Sequence, residues 1–93
     1  MPDFGPPILV NRIAQSTTID YNNGTITQAK MTIVLDTTQE INDYDYYLTA
    51  DGGTNWESTT PGILHTFTNT GTDLRWKIIG YGIIEAIVVE GYH

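Results

Sequence analysis

The chain contains no cysteine. Disulfides, thiolate metal sites and cysteine nucleophiles are excluded together. Cations are almost as scarce: Lys plus Arg number 4 against 11 Asp plus Glu, a formal net charge of -7. Four scattered cations cannot neutralise a row of phosphates, so neither nucleic acid nor an anionic membrane is an expected partner. Long apolar runs are missing too. Ile83-Ile84 and Ala86-Ile87-Val88-Val89 are the longest, far short of the about 20 apolar residues that a membrane-spanning helix needs. Helix-favouring Ala, Glu, Lys and Leu are few. With 93 residues, one domain is expected, burying roughly 60–65% of its extended surface and leaving little material for a deep active site.

What is present points to strands. Thr occurs 15 times, Gly 9 times and Tyr 6 times, and Thr, Tyr, Val and Ile favour pleated, half-buried surfaces. Residues 1–7, Met1-Pro2-Asp3-Phe4-Gly5-Pro6-Pro7, have neither a basic segment nor an apolar one and do not read as a secretory signal. Pro6-Pro7 blocks helix and ladder pairing, which predicts an extended arm. The remainder, 8–93, reads as a single domain.

Ile8-Leu9-Val10 with Ile13 predicts a first strand, and Thr17 to Tyr21 a short second one or an extension. Asn22-Asn23-Gly24 is a turn signal, and a simpler reading of Asn23-Gly24-Thr25 than a glycosylation sequon. Ala29, Met31, Ile33 and Leu35 alternate with Lys30 and Thr32, the mark of a half-buried strand. Strands follow at Tyr44–Thr49, from Trp56, at Leu64–Thr68, at Leu74–Ile78 and at Ile83–Val89, with turns at Asp51-Gly52-Gly53, Pro61-Gly62 and Asn69-Thr70-Gly71 and a bend of the chain at Gly80-Tyr81-Gly82. About seven short strands separated by turns predict an all-β, antiparallel β-sandwich, Ig-like or jelly-roll-like, with no significant helix.

The most specific string is Thr49-Ala50-Asp51-Gly52-Gly53-Thr54-Asn55-Trp56. It resembles the Asp-box, a Ser/Thr-x-Asp-x-Gly-x-x-Trp hairpin, through Thr49, Asp51, Gly53 and Trp56. An Asp carboxylate accepts turn N–H groups, a glycine allows a backbone that a Cβ would penalise, and a Trp folds back on the hairpin. That makes Asp51 a structural residue. One copy cannot make a propeller, which needs several blades.

A longer similarity joins Tyr46–Glu57 to His65-Thr66-Phe67 and to Gly71-Thr72-Asp73-Leu74-Arg75-Trp76-Lys77. Together these resemble a small β-sandwich module of tailed-bacteriophage virion proteins found in tails, fibres and baseplates. The resemblance covers about a third of the chain. It implies a virion structural or adhesive protein assembled in the host cytoplasm and released by lysis, with other capsid or tail proteins as partners in a symmetric oligomer. It implies no catalysis and no cofactor.

Other candidates are weaker. His65 reads as an exposed or edge histidine, not as half of a nucleophile–base pair, and His93 as a frayed end. Glu40, Asp43, Asp45 and Asp51 are acidic neighbours, yet a calcium site needs six or more oxygens, so no metal is expected. Tyr47, Trp56 and Tyr81 are candidate glycan-stacking residues for a competing reading, a carbohydrate-binding module that engages a host-surface glycan. Trp56 and Trp76 are expected in the core. Phe4, Pro6, Pro7 and Ile8 on the arm, with Arg75 and Lys77 on one strand face, are candidate assembly contacts.

Overall fold

The apolar run near the end of the chain forms one strand, not two. A computed structural model describes residues 8–19, 24–35 and 38–93. In it, Arg75–Tyr92 is an unbroken 18-residue strand. The strands in chain order are β1 (Ile8–Gln15), β2 (Ile26–Leu35), β3 (Asp45–Thr49), β4 (Glu57–Thr59), β5 (Leu64–Gly71) and β6 (Arg75–Tyr92). The only helical piece among the described residues is a 3-10 turn at Ile41–Asp43. The fold is therefore all-β, with every strand pair antiparallel. Phe4, Pro6, Pro7, Asn22 and Asn23 lie outside the described residues.

The sheet order is β4-β3-β6-β2-β5, with β1 also paired to β6. Strand β6 holds this together by changing neighbours along its length. Its first part lies between β3, with Tyr46 opposite Ile78, and β1, with Val10 opposite Gly82. Its second part pairs with β2, from Leu35 opposite Ile84 to Gln28 opposite Tyr92.

The bend between these parts is written in the sequence. Gly80 and Gly82 have φ of 153° and 142°, in a region that favours glycine. A Cβ at Gly80 would sit 2.6 Å from Tyr44 Cδ1, and one at Gly82 would collide with Gln39 and the Tyr44 hydroxyl. Tyr44 thus lies across both glycines, its hydroxyl 2.5 Å from Gln39 Oε1. Glu85 then has no opposite number, since Val34 faces Ala86 and Leu35 faces Ile84. One extra residue on one strand is a β-bulge, which sharpens the local twist. Gly80-Tyr81-Gly82 therefore bends the chain, as expected, but does so inside one strand without ending it, and among the described residues six strands form, close to the seven or so counted from the sequence.

The core lies inside the curled sheet. Val10, Ile26, Ala29, Met31, Leu48, Leu74, Ile78 and Ile84 are fully buried, and Tyr44, Tyr46 and Phe67 nearly so. Each large apolar side chain contributes about 1.5–3 kcal/mol by leaving water. Tyr46 keeps its polar end satisfied by donating to Ile41 O at 2.9 Å. Burial, reinforced by Tyr44 and Asp43 nearby, pushes its phenol up to about 12. Trp76 packs against the core, as expected. Trp56 does not; it lies outside the core cluster, and the reason is the local geometry described next.

Candidate functional site

The β3–β4 corner is built around two side chains. Thr49 is fully buried. Its hydroxyl donates to Asp51 Oδ1 at 2.7 Å and accepts the Gly53 N–H at 3.1 Å. Asp51 in turn accepts the Asn55 backbone N–H at 2.9 Å and the Asn55 Nδ2 at 2.7 Å. Partial burial of Asp51 pushes its carboxyl up, but these hydrogen bonds outweigh it and hold the group below its ordinary range. Gly52 and Gly53 take φ of 72° and 96°. The Trp56 ring lies over Gly53, 3.6 Å from where a Cβ would be, so the ring covers the hairpin and not the core.

The corner is seated on the β5–β6 connection. Gly52 N donates to Asp73 O at 3.0 Å, and Asp73 N donates to Ala50 O at 2.9 Å. Gly71 lies directly under the Ala50 carbonyl, where a Cβ would collide. Asp73 also binds Arg75 through two nitrogens, at 3.1 and 2.8 Å. That paired contact lowers the Asp73 carboxyl, against the opposing effect of partial burial and with help from Thr18. The sequence blocks around residues 49–57, 65–67 and 71–77 therefore meet in space.

Glu57 completes the cluster. Its carboxylate accepts the N–H groups of Thr68 and Asn69 at 2.9 and 2.8 Å, and the Asn69 Nδ2 at 3.2 Å. It also meets His65 Nε2 at 3.0 Å. His65 packs edge-on to Phe67, ring centroids 4.9 Å apart. His65 thus lies on the edge strand β5, one of the two positions expected for it, but is half-buried and held by a carboxylate, not exposed. No local pattern marks this contact, because the partner sits eight residues away across a turn. That carboxylate is committed to backbone N–H groups of β5, so the pair fastens strands together.

The outer face of β3 and β6 gathers other predicted residues. Lys77 Nζ lies 4.5 Å from the Trp56 ring centroid and 5.2 Å from that of Tyr47, a cation shared by two rings. Two proposed glycan residues and one proposed assembly cation are therefore neighbours. The ammonium occupies ring surface that a sugar would need. Tyr81 is apart from them, four residues further along β6 and 69% exposed. Arg75 is engaged by Asp73. Ile8 is placed by the ladder, opposite Ile84. Of the acidic group, Asp43 accepts the Glu40 N–H at 2.9 Å in a capping box, Asp45 is exposed on β3, and Asp51 belongs to the corner. Among the described residues no three His, Asp or Glu side chains converge as a metal site would need.

A polar cleft of about 140 Å³ lies between the 3-10 turn and β4, lined by Asn42, Asp45, Tyr46, Ser58 and Thr59 among others. No family model matches the chain, and neither does any curated protein or solved structure.

Proposed function

We propose that this chain is a non-enzymatic structural protein of a tailed-bacteriophage particle, decorating the capsid or attached to the tail or fibres. The reading is carried by one observation. The blocks that resemble the phage module form a single corner, in which Thr49, Asp51, Glu57, Asp73 and Arg75 bind backbone or one another. Their polar chemistry is spent on holding shape. A protein of this kind acts by many weak contacts on a symmetric particle, which sum to firm attachment. Mass spectrometry of purified particles tests the idea. Recovery of the chain at fixed stoichiometry is expected, and its absence from intact particles overturns the role.

The competing reading, a carbohydrate-binding module, draws on Tyr47 and Trp56 sharing a face. Glycan-array binding that is lost in Tyr47→Ala or Trp56→Ala, with the fold intact, would favour it over the structural role.

A further inference from the structure

The two ends of the β3–β4 hairpin treat polar side chains differently. At the corner, Thr49, Asp51, Asn55 and Glu57 are all committed to internal hydrogen bonds. At the other end lies the polar cleft of about 140 Å³. Among the described residues, the side chains of Asn42, Asp45, Ser58, Thr59 and Thr60, which line it, make no internal hydrogen bond and no ion pair. Thr59 is half-buried and the other four are exposed, so their polar groups are open to a ligand. Both walls are fixed in advance. On one side, the Tyr46 hydroxyl donates to Ile41 O at 2.9 Å, and the Glu40–Asp43 capping box closes the 3-10 turn. On the other, Gly62 N donates to Met31 O at 2.8 Å and Ile63 N to Thr60 O at 3.1 Å, which ties the chain after β4 to β2. Walls that need no ordering lose less entropy on binding.

Size and charge select the occupant. The volume lies below the about 300–1,000 Å³ of sites for drug-sized molecules, so it suits one small ring and not an extended chain. Among the described lining residues Asp45 alone is charged, so anions are disfavoured. Its carboxylate only accepts, whereas one amide and three hydroxyls both donate and accept. A ligand dense in hydroxyls matches that set: two neighbouring hydroxyls can donate to the Asp45 oxygens, and other ligand oxygens can accept from the amide and hydroxyls. A bare ammonium has donors only and leaves the donors of the cleft unmatched.

We propose that the cleft between the 3-10 turn and β4 binds one neutral, hydroxyl-rich sugar residue, with Asn42, Asp45 and the hydroxyls of Ser58, Thr59 and Thr60 as its contacts. The virion role needs no such site, and the competing glycan reading places a sugar on Tyr47, Trp56 and Tyr81 instead. The proposal rests on neither.

Amide NMR of the isotope-labelled intact chain, titrated with a panel of neutral methyl hexosides and N-acetylhexosaminides, tests it. At least one sugar should give saturable shifts centred on residues 41–46 and 58–60. Asp45→Ala should weaken that binding by at least about tenfold, the effect of losing a charge-assisted contact. Asp45 is exposed and without an internal partner, so the variant should keep the wild-type amide dispersion. Asp45→Asn serves if Asp45→Ala melts abnormally. The absence of saturable shifts with every sugar of the panel overturns the proposal. So do shifts centred on Trp56 and Tyr81, affinity unchanged in both Asp45 variants, or tighter binding of methylammonium or inorganic phosphate than of any sugar. A chain that is recovered in particles and binds no sugar sinks this site alone, whereas a sugar-binding chain never found in particles sinks the virion role alone.

Discussion

Glu57 on β4 reaches His65 on β5 at 3.0 Å, and the same carboxylate takes the N–H groups of Thr68 and Asn69. Strands β4 and β5 are the two ends of the sheet order. A side chain therefore joins edges that no backbone ladder joins.

This junction should respond to acid. Partial burial of Glu57 pushes its carboxyl up, but the N–H groups of Thr68 and Asn69, with His65, hold it below its ordinary value of 4.5. A carboxyl lowered by folding contributes stability that is present above about pH 4.5 and lost as pH falls through the folded value. Asp51 and Asp73 are lowered as well and act in the same direction. The melting temperature of the wild type should fall as pH drops below about 4.5, and Glu57→Gln should flatten that fall. An equally steep decline in Glu57→Gln would remove Glu57 from the explanation.

Asp51→Ala deletes the acceptor of three bonds in the corner while Thr49 stays buried. Leaving the Thr49 hydroxyl and the Asn55 N–H without it should cost about 1–3 kcal/mol. In a domain of this size each kcal/mol lowers the melting temperature by roughly 4–8 °C. Differential scanning calorimetry measures this. Binding to particles should persist; unchanged melting with lost binding would make Asp51 a recognition residue.

Gly82→Ala places a methyl group against Tyr44 and Gln39 on a backbone that disfavours a Cβ. The expected loss is about 1–3 kcal/mol. Gly24→Ala makes a useful contrast: nothing lies within 4 Å of its missing Cβ, so only the backbone contribution remains. Urea titrations should rank Gly82→Ala as the more damaging substitution.

Lys77→Ala removes the cation shared by Tyr47 and Trp56. A half-exposed contact of this type contributes about 0.5–1 kcal/mol. A change in Trp fluorescence is expected alongside a small drop in stability. Identical emission before and after substitution would show that the ammonium does not rest on the Trp56 ring.

Much of this architecture was legible in the chain. Alternation of Ala29, Met31, Ile33 and Leu35 with polar residues located β2, because one wet face and one dry face leave a period of two. The corner built on Thr49 and Asp51 was legible because its bonds close within seven residues, Thr49 to Asn55. The continuity of β6 was not. Glycines usually announce a turn, and only the ring of Tyr44, thirty-six residues earlier, makes Gly80 and Gly82 a bend in an extended strand. Apolar residues on both faces of Ile78–Ile84 also concealed which side would be wet, and the bulge at Glu85 switched sides partway. The Glu57–His65 contact depends on where β5 lies relative to β4, which no local pattern encodes.

The dual pairing of β6 also governs how the molecule can form. Its ladders with β1 join residues about seventy positions apart, and those with β2 span some fifty to sixty. Only the β3–β4 and β2–β5 pairs can zip before residues 75–92 arrive. Chain closure over such distances is entropically slow. Acquisition of the native state should thus be a late, all-or-nothing event gated by one segment, on the millisecond-to-second scale of non-local β topologies.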